Sequence, residues 1–134
     1  MNSEMGDDAT PVADVACSIA PAAGFGVTEH WVERTVVMTV FGDLDVATAP
    51  ELADAIHAAA RKGPAALIVD LSRVDFLASA GMSLLITVHR DIAPSALFGV
   101  VADGPSTSRP LRLVGLDTVF AVYRSLDEAM AELI

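Results

Sequence analysis

The sequence is poor in several residue types, and each shortage excludes a class of protein. One cysteine, Cys17, occurs among 134 residues, so no disulfide framework exists and a reducing cytoplasm fits. One Trp and one Tyr leave Val, Leu, Ile and Ala to form the core. Only eight basic residues oppose eighteen acidic ones. The resulting net charge of −10 argues against nucleic acid or an anionic membrane as a partner, because both need a cationic protein face.

Long apolar runs are also missing. The longest stretches without charge, Val15 to Thr28 and Phe76 to Val88, are shorter than the roughly 20 residues that a membrane-spanning helix needs. Acidic residues near the N-terminus replace the basic region of a signal peptide. The sequence therefore predicts a soluble, cytoplasmic, single-domain protein that needs no metal to build its core.

Catalytic signatures are missing as well. The three histidines, His30, His57 and His89, stand on separate predicted elements and have no metal-ligand spacing. No phosphate-cradling loop ends in Gly-Lys-Ser or Gly-Lys-Thr, and Ser79 lacks the glycines of a nucleophile elbow. Asp70, near the end of a predicted strand, leaves open a receiver-like phosphoacceptor, but the companion acidic pair and lysine are missing. We therefore predict no catalytic residues, no metal and no cofactor.

The chain divides into an N-terminal tail and one folded domain. Residues 1–24 combine small residues, acids and prolines without a period, which predicts a disordered tail before a domain over 25–134. Within the domain, β-rich runs alternate with helical patterns in the order β-β-α-β-α-β-α-β-α. Short connections between alternating elements predict an α/β fold with a mostly parallel sheet of four to five strands and about four helices.

Local signals mark the ends of these elements. Glu33-Arg34 reads as the turn of a hairpin, and Thr48 reads as the N-cap of the first helix. Pro110 is tolerated only in the first turn of the third helix, so that helix can start late. Gly115 suits a left-handed residue after that helix, and Ser125 with the glutamate three residues later has capping-box spacing.

The stretch from Leu67 to Met82 reads as a buried strand, a loop and the start of a helix. The strand covers Ala66 to Leu71, and the polar residues after it predict a loop that ends at Ser79. A helix N-terminus offers free N–H groups and partial positive charge, which stabilise phosphate or carboxylate groups. By position Ser79 is a candidate N-cap, whose loss would cost about 1 kcal/mol.

A set of short motifs, each weak alone, resembles STAS domains and more narrowly bacterial anti-sigma factor antagonists. The resemblance covers roughly Val27 to the end of the chain, in the family's order and spacing. The matching segments are Gly42-Asp43-Leu44-Asp45, Thr48-Ala49-Pro50-Glu51-Leu52, Leu67-Ile68-Val69-Asp70-Leu71, Val74-Asp75-Phe76-Leu77, Ser79-Ala80-Gly81-Met82, Leu113-Val114-Gly115-Leu116-Asp117, Phe120-Ala121-Val122-Tyr123 and Ser125-Leu126-Asp127-Glu128-Ala129.

The resemblance implies a STAS fold and function by partner switching. Such an antagonist binds an anti-sigma factor of the serine-kinase type and thereby frees a sigma factor for transcription. Phosphorylation of a Ser or Thr at the start of the central helix blocks that binding. The resemblance implies partner contacts in two segments, whose residues here are Asp43, Asp45, Thr48, Ala78, Ser79, Ala80, Gly81 and Met82. For Asp45 a solvated turn position is an equal alternative.

The chain departs from the family at the phosphorylated turn. Where the family has Asp-Ser-Ser-Gly or Asp-Ser-Thr-Gly, this chain has Ala78-Ser79-Ala80-Gly81, so Ala80 occupies the phosphoacceptor position. Ser79, one residue earlier, is the remaining phosphorylation candidate, and its N-cap interpretation is preferred. The alternative function is a STAS module that senses a small ligand or acts within a larger signalling assembly. We expect a monomer or a weak dimer.

Overall fold

The computed structural model describes residues 25–133, which form one sheet with helices on both faces. The strands are β1 (Gly26–Val32), β2 (Thr35–Leu44), β3 (Ala66–Leu77), β4 (Leu97–Val101) and β5 (Ala121–Tyr123). The helices are α1 (Ala49–Ala60), α2 (Ser79–Ile92), α3 (Ser108–Leu113) and α4 (Leu126–Leu133), with a 3₁₀ turn at Leu116–Thr118. The predicted order of elements is confirmed. The predicted disordered tail, with Cys17, lies outside the described residues.

The sheet keeps its strands in chain order, β1-β2-β3-β4-β5. β1 is antiparallel to β2, and every later neighbour is parallel, as predicted. The hairpin turns at Glu33-Arg34, and Glu33 takes a left-handed φ of 56°. Because β2 to β5 run the same way, their carboxyl ends meet at one side of the sheet, which we call the carboxyl edge.

The main core lies on the inner face of the sheet, beneath α1 and α2. Helical spacing places Leu52 and Ile56 of α1, and Leu85 and Val88 of α2, on the buried sides of their helices. The inner-face strand residues of this core are Val36, Met38, Val40, Leu44, Leu67, Val69, Leu71, Val74, Leu77, Phe98 and Val100. β3 is buried on both faces from Ala66 to Leu71, which confirms the predicted interior strand.

A smaller core lies on the outer face, beneath α4. Ala129 is buried there against Val37, Ile68 and Val101 of the three middle strands. The larger apolar residues of α4, Leu126, Met130 and Leu133, pack around this cluster and stay partly exposed. The outer face beyond this cluster, toward the carboxyl edge, carries exposed phenylalanines on β2 and β3.

β2 and β3 are longer than the sequence pattern indicates. The loops predicted from Gly42 onward and between Leu71 and Ser79 are wrong, because β2 continues to Leu44 and β3 to Leu77. Register shifts break the two-residue period there, and they let outward polar residues follow one another while Val74 and Leu77 still point into the core. Both strands therefore reach the carboxyl edge as paired strands.

Helix-end predictions are largely confirmed. α3 begins at Ser108, so Pro110 falls in its first turn, and Gly115 has φ 79° and ψ 17°. Ser125 Oγ accepts the N–H of Glu128 at 3.1 Å, as a capping box requires. In a full capping box the Glu128 carboxylate would in turn accept the N–H of Ser125. It instead accepts the N–H of Arg124, one residue earlier, at 2.7 Å.

One ion pair joins β1 to the chain just after α1. Glu29 Oε2 accepts a hydrogen bond from Lys62 Nζ at 2.8 Å and another from Trp31 Nε1 at 2.6 Å. Burial raises the pKa of Glu29, but the hydrogen bonds from Lys62 and Trp31 and the lysine charge outweigh it, so the pKa is lowered from 4.5. Because the folded pKa is depressed, the stabilisation is present above 4.5 and is lost as the pH falls through the folded pKa.

We expect Glu29→Gln to lower the free energy of unfolding by up to about 1 kcal/mol at about pH 7, the scale of an exposed pair. The difference between the variant and the parent should shrink as the pH is lowered toward about 3, because the parent's carboxylate takes up a proton as the pH falls through its folded pKa. Urea unfolding at both pH values measures this difference. The matched control is Glu33→Gln in the adjacent turn, and an equal loss in both variants would contradict a specific role for Glu29.

Candidate functional site

The two predicted partner-contact segments lie side by side at the carboxyl edge. Leu44 and Leu77 are register partners at the ends of β2 and β3. One residue later, the N–H of Ala78 donates to the carbonyl of Leu44 at 2.9 Å. This bond joins the β2–α1 loop, residues 43–48, to the start of α2, residues 78–82. We call these two segments together the edge surface.

The β2–α1 loop forms a helical turn ahead of α1. The N–H of Ala49 donates to the carbonyl of Asp45 at 2.8 Å, so the helical path begins before Thr48. Asp45 Oδ1 accepts the N–H groups of Ala47 at 2.9 Å and Thr48 at 3.1 Å, which are the bonds of a capping residue. Thr48 is the N-cap residue of α1, as predicted, but its side chain makes no capping hydrogen bond, and Asp45 supplies the side-chain bonds of this turn.

Thr48 instead fixes the loop from within. Its side chain is buried, and its Oγ1 accepts the N–H of Asp45 at 2.9 Å. The same hydroxyl donates to the carbonyl of Asp43 at 2.8 Å. One hydroxyl thus satisfies a donor and an acceptor on either side of Leu44. The exposed side chains of Asp43 and Val46 are consequently presented from a hydrogen-bonded loop.

The start of α2 differs from its prediction in the position of the cap. Ala78 is the N-cap residue, with extended dihedrals of φ −85° and ψ 168°, and Ser79 is the first helical residue. The N-cap interpretation of Ser79 is therefore wrong. The cause is the pairing of Ala78 with Leu44, which makes Ala78 the last extended residue. Ser79 is exposed at the edge surface, and Ala80 beside it is partly exposed.

Gly81 allows α2 to approach the sheet closely. It is buried, and a Cβ at this position would lie 2.8 Å from Cγ of Leu44 and 2.9 Å from Cδ1 of Leu77. Any side chain would therefore push the start of α2 away from both strands. Met82, next to it, is partly buried against the core. The contacts of Gly81 and Met82 are thus packing contacts that position Ser79, while their contact with a partner stays a prediction.

The edge surface and the strand end beside it carry carboxylates and exposed apolar groups, and the apolar groups are not among the predicted partner-contact residues. Val46 is 77% exposed at the tip of the loop, and Phe76 is 55% exposed two residues before Ala78. The side chains of Asp43 and Asp75 are exposed nearby on the same strand ends. Exposed apolar groups among polar ones are typical of protein-binding surfaces. The available signal was Val46, a large aliphatic residue that follows Asp45 in the segment before α1.

The other candidate sites have structural explanations. Asp70 is buried, and its Oδ1 accepts the N–H of Ser72 at 3.0 Å, so it belongs to β3 rather than to an open phosphoacceptor site. His57 lies 3.2 Å from Asp91 and links α1 to α2. Within residues 25–133, no three His, Cys, Asp or Glu side chains are grouped as metal ligands. No helix in that range is long and apolar enough to cross a membrane.

Comparison with known proteins agrees with this architecture. The family model of the STAS domain matches residues 30–129. The anti-sigma-F factor antagonist RsfB of Mycobacterium tuberculosis is 40% identical over 104 residues, which cover 78% of this chain and 84% of the relative. This match spans the whole edge surface and both of its segments lie within the STAS match.

Solved structures show the same fold. An anti-sigma factor antagonist from Mycobacterium paratuberculosis superposes with a TM-score of 0.80 at 36% identity, over 86% of this chain and 98% of that one. A STAS domain protein from Planctomyces limnophilus, at 21% identity, has a TM-score of 0.69 over 85% of this chain and 100% of that one, and supports the fold alone. The chain belongs to the STAS domain family, among its anti-sigma factor antagonists.

Proposed function

We propose that this protein is an anti-sigma factor antagonist that binds an anti-sigma factor of the serine-kinase type and frees a sigma factor for transcription. It acts as a monomer or weak dimer in the cytoplasm, without catalysis of its own. The carrying observation is the bond from Ala78 to Leu44, which unites the two segments of the edge surface. The mycobacterial relative at 40% identity, an anti-sigma-F factor antagonist, supports the class of partner.

The edge surface suits recognition without a change of fold. Main-chain bonds and the buried Thr48 hydroxyl fix its loop, so little ordering entropy opposes binding. Val46 supplies an apolar contact, and Asp43 and Ser79 supply polar ones. A standard interface covers about 800 Å² per partner, so neighbouring residues of α2 and of the strand ends take part too.

Ser79 is the proposed point of control. Its hydroxyl is exposed in the first turn of α2, where a helix N-terminus tolerates a phosphate. A phosphate adds about 1.5 to 2 negative charges, which must lose water in the interface. Phosphorylation of Ser79 would therefore leave the domain folded and weaken the bound state. In this role Ser79 replaces the family's phosphoacceptor, whose position holds Ala80.

Binding should depend on charge at Ser79. We expect Ser79→Glu to weaken binding about tenfold or more, or about 1.4 kcal/mol, whereas Ser79→Ala should bind as the parent does. Isothermal titration with the purified anti-sigma-F factor of Mycobacterium tuberculosis, and with each serine-kinase-type anti-sigma factor of the source organism, measures the effect. Ser95→Glu, exposed beyond the far end of α2, is the matched control. Equal affinities for all four proteins would place the interface elsewhere.

Phosphate transfer should map to the same residue. Incubation of the full chain with ATP and the anti-sigma factor that binds it should label Ser79, and Ser79→Ala should abolish the label. Mass spectrometry of the digested chain identifies the site. A label confined to residues 1–24, or none, would show that control does not act through the edge surface. With either result, the proposal that the unphosphorylated chain binds the anti-sigma factor would be unaffected.

Thr48 should position the loop that contacts the partner. Thr48→Val keeps the side-chain shape but leaves the Asp45 N–H and the Asp43 carbonyl without their hydrogen bonds, at a cost of about 1 to 3 kcal/mol of stability. Affinity for the anti-sigma factor should fall as well, and Thr48→Ser should restore both properties. Urea unfolding and titration measure them. Thr87→Val, at an exposed helical threonine, should change neither.

A further inference from the structure

The outer face of the sheet has an uncovered corner beside the edge surface. Phe41 of β2 is 38% exposed and Phe76 of β3 is 55% exposed, although both follow long buried strand segments. Exposed phenylalanines on adjacent strands lose favourable burial unless another molecule covers them. They are therefore the strongest exposed apolar feature of the described strands.

Strand register places both rings on the same face. Phe41 is paired with Arg73, and Asp43, two residues along β2, is paired with Phe76. Their intervening partners, Gly42 and Val74, form the next pair and belong to the inner side, where Val74 joins the main core. The two phenylalanines thus lie diagonally across the β2–β3 ladder on the outer face of the sheet.

The corner contains an aromatic ring that packs on β1 and an exposed cationic side chain. The ring of Phe41 lies over Gly26 of β1, since a Cβ on Gly26 would overlap it. Arg73 is exposed on β3 as the register partner of Phe41, and it forms no salt bridge with any residue of the described range. In a protein of net charge −10, this guanidinium marks one place where a partner's carboxylate is attracted rather than repelled. We call Phe41, Arg73 and Phe76 the outer corner.

We propose that the outer corner is a second contact site for the anti-sigma factor, continuous with the edge surface. It would receive a partner segment that carries an apolar side chain, packed on the two rings, and a carboxylate paired with Arg73. Continuity supports this occupant, because Phe76 is opposite Asp43 and is only two residues from Ala78, both in the edge surface. The inference rests on the proposed function and extends its interface around the end of β3.

Single substitutions at interface residues change binding affinity by measurable amounts, so the outer corner can be tested with single variants. Buried aromatic anchors commonly dominate binding, while scattered exposed apolar residues contribute little. We expect Phe76→Ser to weaken binding about tenfold and Arg73→Glu to weaken it at least as much, with the loss for Arg73→Glu shrinking at high salt. Leu113→Ser is the matched control, since Leu113 is 76% exposed on α3 and belongs to neither surface, and this variant should bind as the parent does.

The experiment is titration of the full chain and its variants against the anti-sigma factor that binds the parent, with thermal unfolding to confirm that each variant is folded. Parent-like affinity of Phe76→Ser and Arg73→Glu, beside a loss for Ser79→Glu, would overturn the outer corner and leave the proposed function standing. An equal loss for Leu113→Ser would also overturn it, because the effect would then be nonspecific. A parent chain that binds no anti-sigma factor would overturn both proposals.

Discussion

The parallel pairing of β2 with β3, continued to their last residues, is the constraint on which the site depends. Leu44 and Leu77 point into the main core as register partners, and the Ala78 N–H then closes on the Leu44 carbonyl. This bond joins two loops that are over thirty residues apart in sequence, and it sets where α2 begins. The packing of α2 and the exposure of Ser79 both follow from that starting point.

Small and hydroxyl side chains make this arrangement possible without any charged group in the interior of the site. Gly81 removes the atoms that would separate α2 from Leu44 and Leu77, and Thr48 satisfies the main chain of the facing loop from a buried position. Asp45 caps the turn that leads into α1. Each of these residues stabilises the backbone of the site. The family motifs that contain them therefore reflect the backbone conformation of the loop as well as its predicted contacts with a partner.

Sequence patterns predicted the elements well where packing is periodic and poorly where strands meet at long range. The run from Ala66 to Leu71, apolar except for Asp70, identified an interior strand, because burial on both faces favours apolar residues at successive positions. The extension to Leu77 was hidden, because register shifts place outward polar residues in succession. Ser79 was assigned as a cap from local preference, whereas the pairing of Ala78 with a distant strand decided the cap. Only the family resemblance indicated that residues 43–48 and 78–82 act together.

A surface held this firmly limits how its binding can be controlled. The loop conformation is fixed by main-chain and buried side-chain hydrogen bonds. A modification of an exposed side chain therefore has little effect on the fold. Such a modification would instead change the desolvation cost and the electrostatic energy of a complex, and a phosphate changes both strongly. Ser79 is exposed on this rigid frame, and its neighbour Ala80 offers no hydroxyl. Under the proposed control at Ser79, a phosphate would therefore act through charge on one side chain, while the shape of the edge surface would stay the same.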